Sequence, residues 1–194
     1  TYAMKTNTTR FVFIVLFAAI ICAGCFIAVP IGPGGIPIVM QNMFAVLAAL
    51  TLGGFGGFFS ALLFVAAGAL GLPVFSGGAG GIAHLLGPTG GFLAGYILAA
   101  LVSGCIAGKP RAGEKAFGIK NIVKLSLASL AGFTLIYVPG ILRFMQLTHR
   151  SFSASIAACL IPFIPGDLIK LVLSVPLAAK LRTIAARYFT DKSE

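Results

Sequence analysis

Charge is what this sequence has least of. Only 9% of its 194 residues are Asp, Glu, Lys or Arg, and just four are acids. Soluble domains carry about 25% charged residues, so an ordinary water-soluble globular domain is excluded. The chain has no G-x-x-x-x-G-K-[ST] stretch either, so it is not by itself an ATPase of the P-loop kind. Gly78-Ala79-Gly80-Gly81-Ile82-Ala83 fits G-x-G-x-x-A, but it lacks the preceding strand and the acid about 20 residues on that a dinucleotide site needs. Cys22, Cys25, Cys105 and Cys159 all fall in apolar segments, where thiols behave as small hydrophobes. Cys22-Ala23-Gly24-Cys25 spells C-x-x-C without a polar setting or further ligands, so no metal and no cofactor are expected. The net charge of +10 does not point to nucleic acid, because the bases sit in short segments between apolar runs rather than on an amphipathic face with aromatics.

Hydrophobic residues are what the chain has in abundance, at 59% of the total with a mean hydropathy of +1.06. Long apolar stretches with few charges read as membrane spans of roughly 20 residues. Six are expected, at about 11–29, 37–52, 55–70, 92–107, 122–142 and 155–181. The fold class is therefore an all-α integral membrane protein, a single compact bundle of six transmembrane helices over 4–194. Thr1-Tyr2-Ala3 ahead of Met4 reads as an expression remnant. Eleven of the 14 Lys and Arg fall at the termini and after the second and fourth spans; Arg143 and Arg150 lie on the other side, and Lys170 within a span. The positive-inside rule then places both termini in the cytoplasm. Three loops, at about 30–40, 71–91 and 143–154, meet on the outer face.

Asp167 and Lys170 lie inside the last apolar segment. Ionisable groups at membrane depth cost roughly 3 kcal/mol or more each and mark sites that face a protein interior or a watery cavity. Three residues apart, they share a helix face. Pro165-Gly166 suits a helix break or restart there, with Asp167 near the new N-terminus, where a carboxylate is favoured. Two readings stand: a self-satisfied ion pair that fixes packing, or two anchors for a small polar ligand.

Other candidates carry paired readings as well. Gln41 and Asn42 open the second span, either satisfying helix-end amides or offering directional donors and acceptors to a neutral polar ligand. The uncharged loop from Gly71 to Gly91 carries Leu72, Val74 and Phe75 among glycines such as Gly77 and Gly78. It is a flexible connector or a lid whose backbone approaches a ligand closely. His84 reads as an interfacial histidine or a ligand contact, and Tyr137 with Arg143 as an interfacial aromatic beside a snorkelling base or as further contacts. On the first helix, Ala19-x-x-x-Ala23 and Gly24-x-x-x-Ala28 let helices approach closely, within the bundle or against a separate membrane partner.

Gly68-Ala69-Leu70-Gly71-Leu72-Pro73-Val74-Phe75-Ser76-Gly77-Gly78, Leu86-Gly87-Pro88-Thr89-Gly90-Gly91 and Pro165-Gly166-Asp167-Leu168-Ile169-Lys170 together resemble BioY, the biotin-specific substrate-binding (S) component of energy-coupling factor transporters. The resemblance covers nearly the whole chain from the first span onward. It implies a protein of the bacterial plasma membrane that captures biotin from outside. It also implies a transmembrane coupling protein and two cytoplasmic ATPases as partners, which would supply the nucleotide sites missing here. Asp167 and Lys170 are then expected to contact biotin, Ala19 and Ala23 to dock the coupling protein, and Gln41, Asn42, His84 and the glycine loop to complete the site. The alternatives are a solitary facilitator or channel, an S component for another small polar solute, and a small membrane enzyme using Asp167 as acid or base.

Overall fold

The computed structural model describes residues 2–29 and 38–189. The expected turn Ile31-Gly32-Pro33-Gly34-Gly35, the start of the second span at Pro37 and the side chain of Ala28 lie outside the described residues. Among the described residues eight α-helices follow one another: α1 (Tyr2–Ala23), α2 (Gln41–Leu52), α3 (Gly54–Ala69), α4 (Ile82–Leu86), α5 (Gly90–Ala107), α6 (Ile119–Thr148), α7 (Phe152–Cys159) and α8 (Ile164–Phe189). Short 3-10 turns at Ser76–Gly78 and Ile161–Phe163 interrupt them. Among the described residues the one ladder is a two-residue antiparallel pairing of β1 (Ala28–Val29) with β2 (Ile38–Val39), so the chain is all-helical in class.

Helix α2 is the post around which the others stand. It is apolar all round, as a helix must be when it is buried on every side, and of its residues only Phe44 is not fully buried. Its neighbours come very close. A side chain added at Gly57 of α3 would overlap the backbone of Ala49 on α2, and one at Gly95 of α5 would overlap Ile136 of α6. Glycine at these two contacts lets the backbones touch, as small residues do between helices in lipid. Serine hydroxyls add polar cross-links between helices: Ser60 Oγ donates to Ile14 O at 3.0 Å, and Ser129 and Ser174 share a hydrogen bond of 2.9 Å.

The expected apolar stretches overlap these helices, with displaced ends. The first stops at Ala23 rather than 29. The fifth runs on to Thr148, past Pro139, so Arg143 is helical and the expected outer loop at 143–154 shrinks to about His149–Ser151. Within the sixth, the break falls at Leu160–Phe163 and the helix restarts at Ile164, so Pro165 and Gly166 lie in the first turn of α8 with Asp167, as the restart reading expects. Proline there lacks an N–H that would have no intrahelical partner anyway, so it starts the helix instead of ending it. By length and composition, three stretches among the described residues can cross a membrane: Gly90–Ala107, Ile119–Thr148 and Phe152–Phe189. At 12 residues α2 extends about 18 Å, well short of a hydrocarbon core of about 30 Å.

Helix α8 is patterned inside out relative to a soluble helix. Ile169 and Val172 are 63% and 67% exposed, while Asp167 and Lys170 are 8% and 4% exposed. Exposed aliphatics around a buried charge pair are what lipid outside and polar contacts inside require. The protein is a membrane protein on this pattern and on its apolar spans.

Candidate functional site

The first two turns of α8 place Asp167 and Lys170 against the first turn of α2. Lys170 Nζ donates to Asp167 Oδ1 at 3.0 Å, to Asn42 Oδ1 at 2.9 Å and to Val39 O at 2.9 Å. Those are all three ammonium donors. Asn42 Nδ2 donates to Asp167 Oδ1 at 2.8 Å, and the Tyr137 hydroxyl, from α6, makes a short hydrogen bond to Asp167 Oδ2. The carboxylate thus gathers groups from three helices, and a buried ion pair is tolerable because its lone pairs and protons are satisfied.

Beside this hub lies a cavity of about 190 Å³. Its polar lining is Gln41, Asn42, Ser76, His84, Thr89, Tyr96, Tyr137 and Lys170; Phe75, Phe92, Leu93, Ile136 and Phe163 are among its apolar walls. Asp167 is one layer back. It lines a separate cleft of about 240 Å³, facing Leu130, Ile164 and Leu168 on the outside of the bundle, and reaches the cavity through Lys170, Asn42 and Tyr137. A mostly apolar chamber with a few convergent polar groups is the common form of a small-molecule site.

The loop after α3 closes one end of the cavity. Phe75 is fully buried, packed edge-on against Phe64 at 5.6 Å and stacked on His84 at 5.5 Å. Gly68 makes room for its ring, because a side chain there would occupy the same space. Gly77 and Gly78 take φ of 76° and 74°. That left-handed region favours glycine, and the resulting turn lets Gly78 N donate to Phe75 O at 2.9 Å. These two glycines shape the loop without lining the cavity. Thr89 Oγ1 and His84 Nε2 are 3.1 Å apart. Gln41 Nε2 donates to Val74 O at 2.7 Å and to Ile21 O at 3.3 Å, so its amide hydrogens hold the loop and α1 onto α2.

The sequence candidates therefore separate. Asn42, Phe75, His84, Tyr137 and Lys170 converge on the cavity together with Gln41. Arg143 does not: its Nη2 donates to Leu86 O at 2.6 Å and braces the end of α4. Ser76, Thr89 and Tyr96 are lining residues that the sequence reading passed over. The available signal was weak, a hydroxyl inside an apolar span for Tyr96 and a lone serine in a glycine loop for Ser76. The Ser76 hydroxyl is buried and has no hydrogen-bond partner among the described residues, which an incoming polar ligand would remedy.

Arg182, one of the cations counted for topology, is also buried, at 1% exposed. Its Nη1 donates to Leu50 O at 2.7 Å and Gly108 O at 3.0 Å, and Nη2 to Lys109 O at 3.1 Å. Glu114 accepts from Nε and Nη2 of Arg182 at 3.1–3.3 Å. The far end of α2 is thereby tied to α8 and to the loop after α5.

On α1 and at the residue that follows it, the small residues divide between two faces. Ala19 and Ala23 are exposed, whereas Gly24 is buried, and a side chain on it would meet Phe44 and the backbone of Gln41.

Residues 2–187 match the model of the BioY family. The chain belongs to that family. Among similar proteins, the biotin transporter BioY of Rhodobacter capsulatus is 39% identical over 193 residues, 94% of each chain. The probable biotin transporter BioY of Pyrococcus horikoshii is 36% identical over 169 residues, 87% of this chain and 93% of the other. The crystal structure of an S-component for biotin from an ECF-type ABC transporter superimposes with a TM-score of 0.76 at 27% identity, covering 91% of this chain and 92% of that one. The family and this architecture are those that the loop and α8 motifs resembled.

Proposed function

We propose that this chain is the biotin-capturing S component of an ATP-driven ECF-type vitamin importer, a transport subunit and not an enzyme. The observation that carries the reading is the small, mostly apolar cavity with one polar wall built on Asp167, Lys170, Asn42 and Tyr137. Biotin has a fused ring bearing a ureido group, an aliphatic tail and a terminal carboxylate. The polar wall presents both donors and acceptors, which suits the ureido N–H groups and carbonyl, while Phe75, Phe92 and Phe163 suit the ring and tail. The carboxylate is better hydrated at the loop end, beside Ser76 and the His84 and Thr89 pair.

The rest of the assembly follows from the same reading. Helices α1, α2, α3, α5, α6 and the α7 to α8 stretch are the six membrane segments, with α2 a short central one. The Lys and Arg bias puts both termini, and the end of the bundle opposite the cavity, in the cytoplasm of a bacterial cell. A transmembrane coupling protein docks on the outward Ala19 and Ala23 face of α1, and two cytoplasmic ATPases bring the nucleotide sites that this chain lacks.

The test is equilibrium binding of biotin to the purified protein in detergent, with thiamine and riboflavin as controls. Tight binding of biotin alone is expected. A folded sample that fails to bind biotin, or binds all three alike, refutes the proposal.

A further inference from the structure

The end of the bundle opposite the cavity carries a groove of about 740 Å³, rimmed by Arg10, Lys109 and Arg111 and floored by Ile14, Phe55 and Phe59. No acid lines it. The side chains of Lys109 and Arg111 enter no hydrogen bond or ion pair among the described residues, and both residues are exposed. Glu114 accepts from the backbone N–H of Arg111 at 3.4 Å but pairs with neither rim side chain: its carboxylate is held by Arg182 at 3.1 Å and faces Lys124 at 3.9 Å. Arg10 is fixed in place, donating to Phe189 O at 3.3 Å with its guanidinium 5.5 Å from the Phe189 ring centre. The rim is thus a cluster of cations with no anion of its own.

The floor runs onward into lipid. Phe55 and Phe59 are 72% and 46% exposed, and Leu62 and Leu63 continue the exposed stripe along α3. Spacings of three and four residues keep that stripe on one helix face. A cationic rim over an apolar track has the two chemistries of a phospholipid, a phosphate beside acyl chains. Basic pockets between membrane helices are known to hold acidic headgroups, and guanidinium groups match phosphate oxygens bidentately. We infer that this groove binds one anionic phospholipid, with its phosphate between Lys109, Arg111 and Arg10 and its chains along Phe59 and Leu62. An acidic peptide or a free phosphate would satisfy the rim but leave the apolar track unused, so a lipid is the better occupant.

The test is native mass spectrometry of the delipidated full chain in detergent, with dioleoyl phosphatidylglycerol and dioleoyl phosphatidylcholine titrated in separate arms. Lys109→Gln and Arg111→Gln are compared singly and together, with biotin binding followed as the control for folding. Retention of the anionic lipid over the zwitterionic one is expected. Its affinity should fall roughly fivefold for each cation removed and about 25-fold in the double variant. Phe59→Ala should weaken phosphatidylglycerol binding as well. Equal retention of the two lipids, or phosphatidylglycerol binding unmoved in the double variant, overturns the inference. So does displacement of the lipid by millimolar inorganic phosphate, which would mark a bare anion site. If the double variant impairs assembly with the transporter's other subunits while lipid retention holds, the surface is a protein dock instead.

Discussion

Replacing Asp167 by Asn tests the polar wall most directly. The change keeps the shape and the oxygen that accepts from Asn42 and Lys170, but it removes the charge and sets an amide against the Tyr137 hydroxyl. Lys170, 4% exposed, is left without its counter-charge. Breaking a buried pair by removing one partner costs about 3–5 kcal/mol, so the thermal stability of the purified protein should drop. Affinity should drop independently. Hydrogen bonds to charged groups are worth about 1.5–3 kcal/mol, which corresponds to a roughly 10- to 150-fold rise in the Kd for biotin if one such bond is weakened. Isothermal titration or tracer binding on protein confirmed as monodisperse reads the second effect, and a thermal melt the first. Adding Lys170→Met separates them: the double variant should regain part of the stability, because no charge is stranded, and should not regain affinity. A single variant that loses stability yet binds biotin within twofold of the parent would refute the reasoning. The carboxylate would then only hold helices together.

Two further perturbations act away from the cavity. Substituting Leu at both Ala19 and Ala23 should leave biotin binding unchanged and abolish co-purification with the coupling protein; normal assembly would exclude that face of α1 as the dock. Arg182→Gln strips donors from Leu50 O, Gly108 O and Lys109 O and unpairs Glu114, so a loss of about 3–5 kcal/mol is expected. A denaturation curve reads it, and a change below about 1 kcal/mol would mean that this network adds little beyond the packing around it.

Much of the candidate site was legible in single residues. An acid and a base among Leu, Ile and Val three positions apart are conspicuous because water-free surroundings make them costly, and Gln41 and Asn42 stand out at the head of an apolar run for the same reason. Phe75 and the glycines around it were visible as a loop motif. Tyr137 and His84 carried no such mark, since aromatic and imidazole groups near helix ends are ordinary in membrane proteins. Only the meeting of α6 with α8 sets the Tyr137 hydroxyl on Asp167, and only the fold of the loop stacks His84 on Phe75.

By itself, then, the sequence determined the all-helical membrane class of the protein, the rough place of its apolar segments, and the one charge pair worth suspecting. Those follow from composition and from periodicity about a single helix axis. The tertiary structure alone decided that Asp167 is a hub standing behind Lys170, Asn42 and Tyr137, and that Gly24 turns inward while Ala19 and Ala23 turn outward. It also decided that Arg182 is a buried tie between helices. A sequence records which face of its own helix a residue occupies, whereas burial and partnership depend on which neighbour covers that face, and that is set only when the helices pack.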